Sequence, residues 1–313
     1  MFNNVKLGIA PIGWTNDDMP QLGGELTFEQ MVSEAALAGF QAPSRRQVSD
    51  RPGRTEQGTR PARHQDCIPV VLELPVLDPL RGERKGIYRA AGLPRAVGAS
   101  RINVCELTRC LFAEECSMFG DNKPIATDEE WDKLCDGLNK LGKIAADRGF
   151  KLCFHHHMAT VVQTFEETKR LMDNTDPRYV YLCFDTGHFT FSKEDAVKAA
   201  KEFGPRIGHV HLKDIRPDMM EKLTPRASSS ARRFSRAASP FQVTGCVDYP
   251  GVFKALHDAH YELVHRRGRA GPGKGKSARV CQDGTRVYQE NRRYLIRRDY
   301  KWRRFVSVSL ASV

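Results

Sequence analysis

Three short apolar runs, each ending in histidine or aspartate, constrain the fold of this chain more than any other feature. They are Phe154-His155-His156-His157-Met158, Phe184-Asp185-Thr186-Gly187-His188 and His209-Val210-His211-Leu212-Lys213-Asp214. Stretches with helical periodicity separate them, and strands alternating with helices build a parallel sheet. In a closed β/α barrel the strand ends gather at one rim, where side chains from different strands converge. The spacing therefore predicts an α/β chain, a (β/α)8 barrel whose rim carries these histidines and aspartates.

Local signals place the other elements. Val5–Ile9 reads as a strand, and Thr27-Phe28-Glu29-Gln30 has the capping-box form that starts a helix to about Leu37. Ala99–Glu106 reads as a strand ending in a carboxylate. Thr127-Asp128-Glu129-Glu130 opens a long helix with Trp131, Leu134, Leu138, Leu141 and Ile144 on one face, closed by Gly149. Thr164-Phe165-Glu166-Glu167 and Ser192-Lys193-Glu194-Asp195 read as two further caps. Strands over Lys151–Phe154, Val180–Phe184 and Ile207–His211 then fall one βα unit apart, and Asp248–Tyr261 reads as a helix.

A chain of 313 residues, 40% hydrophobic, suits one large barrel, taken as a single domain over 1–313. No apolar run approaches the roughly 20 residues of a membrane span, so no membrane partner is expected. The N-terminus has no signal-peptide pattern, which makes the cytoplasm the expected location. Nine cysteines, an odd count with no Cys-x-x-Cys pair, read as reduced thiols. Cys153 and Cys183 sit in strand-like runs as small apolar residues, while Cys105, Cys110 and Cys116 are loosely spaced for a metal site.

The net charge of +11 invites a nucleic-acid reading, in which an arginine-rich tail neutralises phosphates. Its distribution argues against that. Residues 265–304 hold 14 Lys and Arg against 3 Asp and Glu, which is the whole excess. The rest of the chain is near neutral, the tail has no recognisable module, and no nucleic-acid partner is expected.

Three stretches have a different texture. Residues 42–96 hold 7 of the 17 prolines and lack periodicity, with Pro69 and Pro75 interrupting the one apolar run. Residues 223–244 contain Ser228-Ser229-Ser230-Ala231-Arg232-Arg233 and no carboxylate, and 263–313 is the basic tail.

The motifs resemble those of inosose (2-keto-myo-inositol) dehydratases, within the xylose-isomerase-like TIM barrels. The resemblance rests on Lys6–Asp18, on Thr127–Met158 with its three histidines, on Phe184–His188 and on His209–Pro217, and covers about 1–41, 97–222 and 245–262. The odd stretches depart from it. Read one nucleotide later with free codon choice, Arg266–Lys276 can give Val-Glu-Ala-Glu-Gln-Asp-Pro-Ala-Lys-Ala-Asn, similar to the family's last strand with its ligand glutamate. Cys67–Glu73 likewise gives Ala-Ser-Gln-Trp-Phe-Ser-Ser. Segments 42–96, 223–244 and 263–313 therefore read as frameshifted, which implies an imperfect barrel and an impaired or non-functional product.

The resemblance implies one divalent metal held by His155, Asp185 and His211, with Arg267 and Gly268 where a fourth ligand, a glutamate, is expected. Imidazole and carboxylate donors suit Mn²⁺, Co²⁺ or Zn²⁺ better than Mg²⁺, with Mn²⁺ or Co²⁺ the expected cofactor, and an open position can polarise a ketone. His157, His188 and Glu106 are the acid–base candidates, in no fixed order. Trp14, Asn16 and Arg216 are candidates to bind a polyol-ketone substrate. Each has a plainer alternative: Asp185 as a cap on loop amides, His188 as a turn partner, Arg216 in an ion pair, Trp14 and Asn16 in loop packing. By alternation His156 faces away from His155 and His157, His209 supports His211, and Lys213-Asp214 reads as a surface pair. The resemblance further implies glutathione, for which no site is recognisable, and a homo-oligomer is compatible with such a barrel. The implied reaction is dehydration of 2-keto-myo-inositol to a trihydroxycyclohexane-1,2-dione; ketose epimerisation on the same barrel is the alternative.

Overall fold

The computed structural model describes residues 101–111, 116–117, 119–217 and 245–261 with side chains, and the backbone of strands at 8–9, 42–43, 70–74, 238–239 and 265–266. In chain order the strands are β1 (Gly8–Ile9), β2 (Ala42–Pro43), β3 (Val70–Leu74), β4 (Arg101–Glu106), β5 (Lys151–His155), β6 (Val180–Asp185), β7 (Ile207–Leu212), β8 (Asp214–Ile215), β9 (Ala238–Ser239) and β10 (His265–Arg266). The helices are α1 (Asp128–Ala146), α2 (Phe165–Asp173), α3 (Thr186–Phe191), α4 (Ala196–Phe203) and α5 (Tyr249–Asp258).

The strands β10-β7-β6-β5-β4-β3 form one parallel sheet. β1 and β2 pair in parallel and β1 lies against β10, so a six-stranded and a two-stranded parallel sheet follow the strand order of a β/α barrel. The atypical stretches supply strands as well, β9 in a separate antiparallel pair with β8. β2 and β3 lie in 42–96, β9 in 223–244 and β10 in the basic tail. β3 spans the five residues that lie between Pro69 and Pro75 in the sequence.

Helix starts follow the local chemistry. Thr127 and Glu130 form a complete capping box on α1, and Thr164 and Glu167 do the same on α2. Trp131, Leu134, Leu138, Leu141 and Ala145 of α1 are buried against the sheet, with Ile144 packed at the edge. Gly149, at φ +78°, turns the chain into β5.

Ser192 is not a helix cap. The chain leaves β6 straight into α3, and Ser192 ends that short helix. The cap of α4 is Asp195, whose Oδ1 accepts from the N–H groups of Val197 and Lys198 at 2.7 and 3.0 Å. Glu194 serves the preceding unit instead, accepting the N–H of Phe165 at the start of α2 at 3.1 Å. The strand at Val5–Ile9 is recorded as Gly8–Ile9, and the helix expected over 27–37 lies outside the described residues.

β7 carries one irregularity. Leu182 pairs with Ile207 but Cys183 pairs with His209, so Gly208 is an extra residue in that strand. Its carbonyl accepts from Arg101 Nε of β4 at 2.7 Å. A Cβ at Gly208 would meet Cys153 Sγ at 2.7 Å and Tyr181 Cβ at 2.7 Å, so glycine is required there.

Candidate metal centre at the strand ends

The C-terminal ends of β5, β6 and β7 bring His155, Asp185 and His211 together. Asp185 Oδ2 lies 3.2 Å from His155 Nε2 and 3.2 Å from His211 Nδ1, and the two ring nitrogens are 3.3 Å apart. All three side chains are buried, Asp185 completely. Near-equal edges of this length suit three donors each roughly 2.0–2.2 Å from one ion. The donor set fits a divalent metal. Cys183 adds a softer neighbour, its Sγ 3.6 Å from His211 Nδ1, and it forms a donor group with His155 and His211.

Asp185 has two jobs. Its Oδ1 accepts from the N–H groups of Gly187 and His188 at 3.0 Å each and so caps α3. Its Oδ2 faces the imidazoles. The capping role expected as an alternative to metal binding is therefore taken by one oxygen, while the other faces the imidazoles. Burial alone would raise the Asp185 carboxyl, but His188, Lys213 and the hydrogen bonds from His155 and His211 outweigh it and hold it well below the usual range.

The other histidines surround this triangle. The His188 ring lies 5.1 Å from that of His155 and 3.8 Å from that of His157. Burial holds His188 and His157 well below the ordinary imidazole value, and His157 also feels His155. His157 Nδ1 pairs with the Met158 carbonyl at 2.7 Å. His209 stacks edge-on to His211 at 4.9 Å. His156 points to the other side of β5, on Phe189 at 3.9 Å.

Glu106 is buried but is not brought into this cluster. It follows Ile102 and Val104 on the helix-facing side of β4, in register with Leu74 of β3. Its Oε1 accepts from the N–H of Thr108 at 2.9 Å and from the Thr108 hydroxyl. Arg216 follows β8 and is half-buried. Trp14, Asn16, Arg267 and Gly268 lie outside the described residues. Cys105, Cys110 and Cys116 form no disulfide and join no metal-donor group among the described residues.

Lys213 and Asp214 are not a surface pair; both are buried, at 4% and 1% exposure. Lys213 Nζ lies 2.9 Å from Asp185 Oδ2 and 2.6 Å from His188 Nε2. The signal for it was in the sequence: the alternation that puts His209 and His211 on one face reaches Lys213 next. Asp214 turns the other way and accepts from the N–H groups of Gly245 and Val247 at 3.0 and 3.1 Å.

Comparison with known proteins agrees with this architecture. The family model described as "Xylose isomerase-like TIM barrel" matches residues 68–265. An inosose dehydratase of Clostridium perfringens is 40% identical over 276 residues, 84% of this chain and 89% of its own. Among solved structures, the probable 3-DHS dehydratase AsbF of Bacillus anthracis aligns with TM-score 0.61 at 14% identity, covering 91% of this chain and 99% of its own. The IolI protein, solved with a binding zinc atom, aligns with TM-score 0.52 at 18% identity over 71% of this chain and 76% of its own. These structural likenesses concern the fold.

Proposed function

The chain belongs to the inosose dehydratase family of xylose-isomerase-like TIM barrels, and on that premise we propose that it removes water from 2-keto-myo-inositol to give a trihydroxycyclohexane-1,2-dione. The observation that carries the reaction class is the triangle of His155, Asp185 and His211. The substrate comes from likeness to the curated relatives, whose name does not favour the epimerase alternative.

His155, Asp185 and His211 would hold the metal, Mn²⁺ or Co²⁺ by their donor chemistry. When bound, a divalent ion there supplies a Lewis acid that draws electron density from the ketone and acidifies the adjacent C–H. His157 is the base. Its Nδ1 is committed to the Met158 carbonyl, so Nε2 is the acceptor atom, and burial favours the neutral ring. It takes the proton from the α-carbon. His188 is the acid: its Nδ1–H passes to the departing β-hydroxyl as the Lys213 ammonium, 2.6 Å from Nε2, gives that nitrogen a proton, so the ring stays neutral and the lysine ends as the free amine. Loss of the α-proton and the β-hydroxyl as water leaves an enol, which tautomerises to the 1,2-dione. Arg216, beside the end of β8, meets a substrate hydroxyl. The reduced thiols of the described residues suit a cytoplasmic enzyme.

The test is to load the full chain with Mn²⁺ or Co²⁺, with and without reduced glutathione, and follow dione formation from 2-keto-myo-inositol. Turnover is expected. A folded, metal-loaded chain that leaves the inosose intact overturns the reading.

A further inference from the structure

We infer that Lys213 is a positioning residue that competes with the metal for one oxygen, Asp185 Oδ2, and holds that carboxylate ready until the ion arrives. The inference rests on the metal-centre reading above and extends it to a residue outside the donor set.

The lysine is built into place. Its stem lies over Gly187, where an added Cβ would meet Lys213 Cβ at 2.4 Å and Cδ at 3.2 Å. Its backbone is clamped by Thr186, whose hydroxyl donates to the Lys213 carbonyl at 2.7 Å and accepts the Lys213 N–H at 2.9 Å. The ammonium then ends 2.9 Å from Asp185 Oδ2, the oxygen that also faces His155 and His211. A buried carboxylate without a countercharge is strongly disfavoured. The ammonium supplies that charge in the metal-free protein. A divalent ion on Oδ2 repels it, and its hold on His188 Nε2 at 2.6 Å then keeps that ring in one tautomer beside the substrate.

Two cations cannot share one oxygen without cost, so removing Lys213 has an effect opposite to that of removing a ligand. Lys213→Met is expected to bind Mn²⁺ at least about tenfold more tightly by calorimetry, the scale on which a neighbouring charge shifts a buried group. Its kcat falls with KM little changed, because His188 loses its fixed tautomer. Lys213→Gln, which keeps a donor without the charge, moves affinity the same way, and Gly187→Ala does so by displacing the stem. Metal should also raise the melting midpoint of Lys213→Met by more than that of the wild type, a readout that serves if the metal-free variant folds poorly. Unchanged or weaker Mn²⁺ binding in Lys213→Met and Lys213→Gln overturns the inference. Failure of the wild type to form the dione, with these affinity changes intact, removes the dehydratase reading and leaves this one standing.

Discussion

The backbone N–H of Asp185 donates to His156 Nε2 at 3.1 Å, so a histidine on one face of β5 sets the position of a carboxylate on β6 that faces two imidazoles. The bond requires an unprotonated Nε2. Burial, with His155 next, depresses His156 to about 3. In the unfolded chain the ring takes up a proton near pH 6.5, and in the folded chain it does not. The unfolded state therefore binds more protons across that window, and stability is lost as pH falls from about 6.5 towards 3. His157 and His188 are shifted in the same direction and add to the slope. Urea melts of the metal-free chain between pH 7.5 and about 5 should show a loss of up to about 1.4 kcal/mol per pH unit per proton. Replacing His156 with Gln should flatten the slope by one proton's share, and an unchanged slope contradicts the assignment.

Asp185→Asn keeps an oxygen for the Gly187 and His188 amides but turns an amide nitrogen or a neutral oxygen towards the imidazoles. The helix start should survive while metal is lost. Metal content of the purified variant should drop from one ion per chain towards none, with kcat/KM for the inosose falling more than about a hundredfold. Retained metal at wild-type stoichiometry contradicts the ligand set.

Gly142 lies inside α1, where Gly→Ala normally stabilises by roughly 1 kcal/mol. Here a Cβ would stand 2.5 Å from the Tyr179 carbonyl oxygen and 2.9 Å from its carbon. The packing of α1 on the turn before β6 should reverse the usual sign, and Gly142→Ala should destabilise by about 1–3 kcal/mol in denaturant titrations.

Asp214→Ala removes the acceptor for the Gly245 and Val247 N–H groups and leaves buried amides unpaired. A loss of about 2–4 kcal/mol is expected, with the approach to α5 loosening first. Hydrogen exchange at Val247 and Val252 should quicken more than at Val210. Uniform quickening across all three contradicts the local anchor.

Resequencing the coding DNA addresses the atypical stretches. One-nucleotide slips are expected near the borders of 42–96, 223–244 and 263–313. A single clean frame throughout contradicts that reading; where slips are found, repairing them should raise metal content and dehydratase activity, and equal activity in repaired and present chains contradicts the damage.

What could be read from the sequence was whatever short-range chemistry decides. Thr127 and Thr164 announce their helices because the residues that satisfy the first free amides lie within three positions. The face shared by His209, His211 and Lys213 follows from strand alternation alone. The missed features depend on distant partners. Asp214 is buried because it holds Val247, 33 residues away, and nothing beside it in sequence says so. Ser192 looked like a cap because its neighbours fit the pattern, but α3, made possible by the Asp185 carboxylate, had already used it as an end. β3 escaped notice because pairing with β4 supplies its order, in a stretch whose own pattern is weak.

The single extra residue in β7 decides what the barrel interior contains. Were the same residues paired without a bulge, Ile207, His209 and His211, all odd-numbered, would share one face. Gly208 shifts the strand's phase by one position, so Ile207 joins Val210 and Leu212 in the greasy layer beneath the helices while both imidazoles turn inward. The hydrogen-bonding group set free by that shift is the carbonyl that Arg101 binds from β4. Deleting Gly208 would close the bulge and leave both histidines inward; it is the bulge, which fits only a residue without a Cβ, that lets this sequence keep its imidazoles inside the barrel.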